Sequence, residues 1–422
     1  VLISSSKTTF YTLLPFKPVF KLLHSYIILI ENVHTRGVRD TTFFLAEVHI
    51  LKVQKSKFVN SLCTFYIQEN VKIKATYIVP LVLSFINNSF VNCPCKLGAG
   101  SLNVFVGDLS KMPRINKTSK TFNKVTISLS QNIFSVCSSA IHSGAIYIVM
   151  SKAALVSRYI PGYTEVQIKY SSFVENKADR KSGAVHIAHP DMVLIDGCKF
   201  IKNEGYQGGA VRLYSVMSVV LINNKFISNR AKSEGGGLAV VMTVGNDETK
   251  RIFSLINNLF LNCLCTLSGG ALWVAVFLKK PMLFEHRQNV TTDMAIFLIQ
   301  SNFSTCNSKQ NGGAVVIDGY LVGSKISLNL NVQINNSLFV NNKAGKQGGA
   351  LYIQAVETLL TDSCKFNYNK AQQGAGVGVH TTMSVFVINN QFIVNRARRP
   401  GGGLSLVKIV SIRMYGVEFR RN

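Results

Sequence analysis

The sequence predicts an all-β fold: a single-stranded right-handed parallel β-helix solenoid of about 26–27 residues per coil, with loop insertions. Three observations predict it. A Phe-x-x-(Asn or Cys) tetrapeptide recurs along the chain, a cluster of small residues follows it, and the segments between alternate with a period of two.

The tetrapeptide starts at Phe90, Phe134, Phe173, Phe200, Phe226, Phe260, Phe303, Phe339, Phe366, Phe392 and Phe419. Its intervals run from 26 to 44 residues, so 26–27 is the base unit and longer intervals carry insertions. Clusters such as Gly208-Gly-Ala210, Gly348-Gly-Ala350 and Gly401-Gly-Gly403 follow the first ten copies. In Val219–Phe226, an outward Lys225 puts Val220, Ile222, Asn224 and Phe226 on the inward face. In Gly209–Tyr214, an outward Arg212 puts Val211 and Leu213 inside. No window holds a 3.6-residue period, which excludes a helical repeat. Phe is expected to fill the interior. Asn is expected at a left-handed turn, stacked on its copies, and the glycine pair at a corner needing positive φ. The glycine clusters lack the Gly-Lys-(Ser/Thr) ending of a phosphate cradle.

The array contains a duplication. Phe260, Phe303, Phe339, Phe366 and Phe392 trail Phe90, Phe134, Phe173, Phe200 and Phe226 by 166–170 residues. Two five-coil blocks result, at about 84–249 and 254–415, within an array spanning 56–422. Residues 1–55 read as a degenerate N-terminal segment or worn coils, with Phe43–Val48 and Phe58–Cys63 in the places of an earlier coil. The chain starts at Val1 and stops within a repeat, and reads as a piece of a longer one.

Apolar residues make up 47% and charged ones 16%, the composition of a buried chain. Lys and Arg number 46 against 20 Asp and Glu, a net charge of +26. That excess favours polyanionic partners or reflects unselected surface composition. No nucleic-acid motif or aromatic platform accompanies it, so nucleic acid is not an expected partner. The two longest insertions, Gly107–Lys124 and Lys279–Ala295, occupy equivalent places in the blocks. The first holds Lys111, Arg114, Lys117, Lys120 and Lys124, which read as a polyanion contact or as an unconstrained solvated loop. Each insertion carries a glycosylation acceptor, at Asn116 and Asn289.

Nine cysteines occur, and the Cys-x-Cys pairs are too close for zinc knuckles. Column positions on successive coils suggest disulfides Cys93–Cys137, Cys263–Cys306 and Cys63–Cys95. The alternative is that all are small buried residues filling ladder positions. Neither a metal nor a cofactor is expected. Glycoside hydrolysis needs two close carboxylates, and the densest candidate is His186–Asp196, with His186, His189, Asp191 and Asp196. A solvated turn is the better reading of that segment, and no nucleophile motif appears.

Phe173-Val-Glu-Asn176 with Gly183-Ala-Val185, and Phe339-Val-Asn-Asn342 with Gly348-Gly-Ala-Leu351, resemble the repeats of chlamydial polymorphic outer-membrane proteins and of uncharacterised eukaryotic β-helix proteins. These belong with the pectin-lyase-like right-handed β-helices. The resemblance covers about 84–422 and implies an extracellular or cell-surface, adhesin-like scaffold. The paired Asp, His-Gly and Arg-Ile-Lys signatures of pectinolytic enzymes are absent, so catalysis is not implied. Cell-surface or acidic glycans, or proteins docking on the insertions, are the expected partners. A carbohydrate-active enzyme or an acidic-glycan-binding module is the alternative, and membrane association is left open.

Overall fold

The structure is a computed structural model that describes residues 2–4, 9–10, 20–23, 27–36, 43–46, 48–61, 65–69, 81–96, 98–106, 124–150, 163–244, 250–278, 291–320 and 327–422. Every regular element among them is a strand, and every strand pairing is parallel. The chain divides into two compact units, Val1–Lys199 and Phe200–Asn422, each a parallel β-helix of stacked coils.

A coil of the first unit shows the plan. An entry strand, Tyr163–Lys169, leads to a Phe strand, Ser172–Val174, and a two-residue corner strand, Lys177–Ala178. A glycine turn follows, then an exit strand, Val185–Ala188. Each strand pairs in register with its equivalent in the preceding coil: Val166 with Ile127, Phe173 with Phe134, Lys177 with Ser138, and Val185 with Ile146. Phe rings therefore stack face to face. In the first unit, Phe58, Phe90, Phe134 and Phe173 form a column with centroid spacings of 4.8–4.9 Å. In the second, Phe200 to Phe419 form their own column at 4.5–5.0 Å. Such stacking adds about 0.5–1.5 kcal/mol per pair beyond area burial.

Coil pairing also runs through residues before 56. Ile27–Glu31 pairs with Leu2–Ser4 and with Ile50–Gln54, and His34–Arg36 pairs with Thr9–Phe10 and Lys57–Val59. Here Thr35 stands opposite Phe58, so a search for Phe passes over the coil.

Two corners flank each Phe strand, and both follow one rule. A residue with φ of 49–57°, or a glycine, precedes a buried residue that joins a hydrogen-bonded ladder. After the Phe strand, the left-handed residue is Val136, Glu175, Lys202, Asn341 or Tyr368, and the ladder residue is the following Cys137, Asn176, Asn203, Asn342 or Asn369. The sequence reading placed the left-handed turn on the motif Asn, but it falls one residue earlier. That left-handed residue also reverses strand parity. Val219 and Leu221 therefore face inward with Asn224 and Phe226, not Val220 and Ile222. The inward placement of Val211 and Leu213 agrees with expectation.

The ladders are runs of hydrogen-bonded amides interrupted by Ser and Cys. Asn369 Nδ2 donates to Phe339 O at 3.0 Å and to Asn395 Oδ1 at 2.9 Å, while Asn369 Oδ1 accepts from Asn342 N at 2.9 Å and Asn342 Nδ2 at 3.1 Å. The corner before the Phe strand carries a second ladder, including Asn88 to Asn132 and Asn224 to Asn258. The two ladder residues of a coil are always five apart, as in Ser56 and Ser61, Asn132 and Cys137, Ser337 and Asn342, and Asn390 and Asn395. Length varies elsewhere, between exit strand and next entry strand. Val315–Tyr320 is separated from Ser327–Asn335, whereas Leu351–Asp362 and Val377–Ile388 each merge exit and entry into one strand.

The glycine pair divides its work. Gly348 has a φ of +65°, and a Cβ on Gly349 would lie 2.2 Å from Ala375 O of the following coil. The first needs backbone freedom and the second needs space.

Candidate functional site

Four cysteines expected as two disulfides are thiols and not disulfide-bonded: Cys93, Cys137, Cys263 and Cys306. They occupy the Asn ladder after the Phe strand. Cys306 Sγ lies 3.8 Å from Phe260 O and 3.3 Å from Ser304 O; Cys137 Sγ lies 3.6 Å from Phe90 O and 3.5 Å from Ser135 O. In Asn coils, the same Phe carbonyl accepts from the amide, as Phe303 O does from Asn342 Nδ2 at 2.9 Å. Parallel side chains in register keep their Cβ atoms near the strand spacing of about 4.8 Å, beyond the roughly 3.5–4.5 Å of a disulfide. Burial pushes the Cys137 and Cys306 thiols well up, and the neighbouring Cys93 and Cys263 add to the effect. Burial likewise raises Cys198 and Cys364 to about 12. Such thiols are packing residues, not nucleophiles. Cys95 is disulfide-bonded, and Cys63 lies outside the described residues.

Lys111, Arg114, Asn116, Lys117, Lys120 and Asn289 also lie outside the described residues, and Lys124 opens the strand Lys124–Ser130. Asn-x-Ser sequences also start at Asn87, Asn302 and Asn335; Asn87 is exposed at a left-handed corner, while Asn302 and Asn335 lie in strands.

The residues proposed for chemistry are engaged by neighbours. The His186 ring is 1% exposed and stacks on Tyr147 at 5.3 Å. Tyr147 also stacks on His142 at 4.1 Å, and its hydroxyl accepts from Lys181 Nζ at 3.0 Å. Burial, with Lys181 nearby, lowers His142 to about 4. Asp191 Oδ2 accepts from Thr164 N at 2.7 Å and Thr164 Oγ1 at 2.9 Å. In the second unit, burial raises Asp318, and Tyr352 beside it donates to Gln354 Oε1 at 2.6 Å. Among the described residues, no group of three or more His, Cys, Asp or Glu is placed to hold a metal ion.

One arrangement was missed from the sequence. In the second unit, the corner strands bring Asn307, Lys343, Lys370 and Arg396 into register on four successive coils. The turns after these strands add Lys309, Lys346, Arg398 and Arg399. All seven cations are exposed, and none takes part in an ion pair among the described residues. Segments 307–312, 343–348, 370–375 and 396–401 contain no Asp or Glu. The signal was in the motif all along: Phe-x-x-Asn continues as Lys-Ala or Arg-Ala at Lys177, Arg230, Lys343, Lys370 and Arg396.

No protein-family model and no curated protein matches the chain. Among solved structures, the chain is similar to the crystal structure of the periplasmic alginate epimerase AlgG. The identity is 10% and the TM-score 0.36, over 96% of this chain and 78% of that one. The coil architecture itself is read from this chain's own strand pairing.

Proposed function

We propose that the protein is an extracellular or cell-surface β-helix scaffold that adheres through its faces and carries out no chemistry of its own. The observation that carries this reading is the contrast between spent and unspent side chains. His186 and Asp191 are taken up by stacking and hydrogen bonds, and the ladder thiols are buried, whereas the cations of one corner face are exposed without counter-charges. A rigid coil stack presents such groups at fixed intervals, as an adhesive surface requires.

The test pairs two assays on the same preparation. Plates coated with extracellular matrix or fixed cells should retain the protein saturably. Incubation with alginate, polygalacturonate or heparin should release neither reducing ends nor unsaturated products. Turnover of any of these polysaccharides would overturn the reading in favour of a carbohydrate-active enzyme.

A further inference from the structure

We infer that the corner face of the second unit is a binding site for a linear acidic polysaccharide lying parallel to the coil axis, with Lys343, Lys370 and Arg396 as its central contacts. The inference rests on the adhesive reading above and names the ligand class and the place.

The first argument is register. Lys343 is the in-register partner of Lys370, and Lys370 of Arg396. Strand spacing sets neighbouring cations about 4.8 Å apart and alternate ones about 9.6 Å apart. The longer interval is close to the length of a disaccharide, so a chain with a sulfate or carboxylate on each repeat meets a cation at each repeat. Lys309, Lys346, Arg398 and Arg399 follow the row residues in the turns and flank the row, Arg399 standing in the same column as Gln372 and Lys346.

The second argument is energetic. Like charges directly opposite in a sheet are destabilising. Nothing in the fold demands them, since Asn307 holds the same position in this unit and Ser138 and Pro94 hold it in the first. No carboxylate in the four segments offsets the repulsion. A bound polyanion would offset it while releasing its own counterions.

The third argument separates polysaccharide from nucleic acid. Single strands are held by a succession of aromatic platforms. Tyr368 is exposed beside the row, but the equivalent left-handed corner residues in the adjacent coils are Asn341 and Val394. One ring suits the apolar face of a sugar and makes no stacking series.

The test is retention on immobilised heparin, eluted with salt, for the whole chain and two variants. One carries Lys343→Ser, Lys370→Ser and Arg396→Ser. The other removes equal charge off the row, by Lys57→Ser, Lys225→Ser and Lys408→Ser. Circular dichroism and urea midpoints check that both fold. The row variant should lose about tenfold or more in affinity, with a salt slope lower by about three, and the control about twofold or less. Equal losses in the two variants would overturn the site while leaving the adhesive reading standing. Tighter binding of DNA or of phosphatidylserine vesicles than of heparin would overturn the ligand class. If the unaltered chain binds heparin no better than a neutral dextran while still adhering to matrix, the inference falls alone. Loss of adhesion to every surface removes the reading beneath it.

Discussion

The same corner strand is built differently in the two units. In the first, the in-register residues are Pro94, Ser138 and Lys177, with Lys96 and Asp179 two positions further on. In the second, they pass from Glu204, Arg230 and Leu264 to Asn307, Lys343, Lys370 and Arg396. The inward neighbours barely change, being Cys95, Ser139 and Ala178 in one and Ala231, Cys265, Ser308, Ala344 and Ala371 in the other. The coil specifies small residues inside and leaves the outward position free. A run of cations there is consequently informative in a way that a run of buried alanines is not.

The comparison can be broken first at what the units share. Asn369→Leu removes an amide with four hydrogen bonds and strands the Phe339 carbonyl and the Asn342 donors. It should cost roughly 3–5 kcal/mol, read as a fall in the urea midpoint. Asn369→Cys keeps one weak donor, as Cys306 does, and should cost about half as much. Conversely, Cys306→Asn should raise stability by about 1 kcal/mol, since Asn342 above it already forms ladder bonds.

What the units do not share should move binding far more than stability. Pro94→Lys, Ser138→Lys and Asp179→Asn together would write a cationic row into the first unit beside Lys177. Urea midpoints should fall by the equivalent of about 1 kcal/mol or less, since two in-register pairs of like charge are created. Heparin retention should rise, with a salt slope steeper by about two. If the slope does not change, position on the corner face is not enough and the turn residues Arg398 and Arg399 matter more.

A further effect, seen only as pH changes, is expected at His142. Its folded value of about 4 lies below the ordinary 6.5, because burial beside Lys181 disfavours the imidazolium. The unfolded chain therefore takes up the proton first. Stability from this group is complete above about pH 6.5 and is lost as pH falls toward 4. His142→Gln should flatten that part of the stability profile, measured by urea melts from pH 7 to 4.

Phe and glycine positions were legible because volume and the absence of Cβ are properties of a residue type. Phe134 must fill a stacking slot, and Gly349 must leave room for Ala375 O. The left-handed corner was illegible because its constraint lies in the backbone. Val136, Glu175 and Tyr368 accept it alike, so no residue type announces it. The coil at Ile27–Glu31 was obscured for a related reason: Val33 and Thr35 hold places taken elsewhere by a polar ladder residue and Phe. The basic position was visible as Asn-Lys-Ala or Asn-Arg-Ala, but sequence spacing does not show that Lys343, Lys370 and Arg396 fall in one row. That takes the pairing of two-residue strands.

The constant five residues between a coil's two ladders mark where this chain tolerates engineering. One extra residue between Ser337 and Asn342 would pull two amide columns out of step at once. The junction at Ala355, where exit and entry strands meet, stands at the place where other coils already accept six or more additional residues. Doubling the length of a flexible insert there costs only about 0.6 kcal/mol in closure entropy. Antigens or affinity tags cloned into successive junctions would be displayed as a regular comb, one tooth per coil.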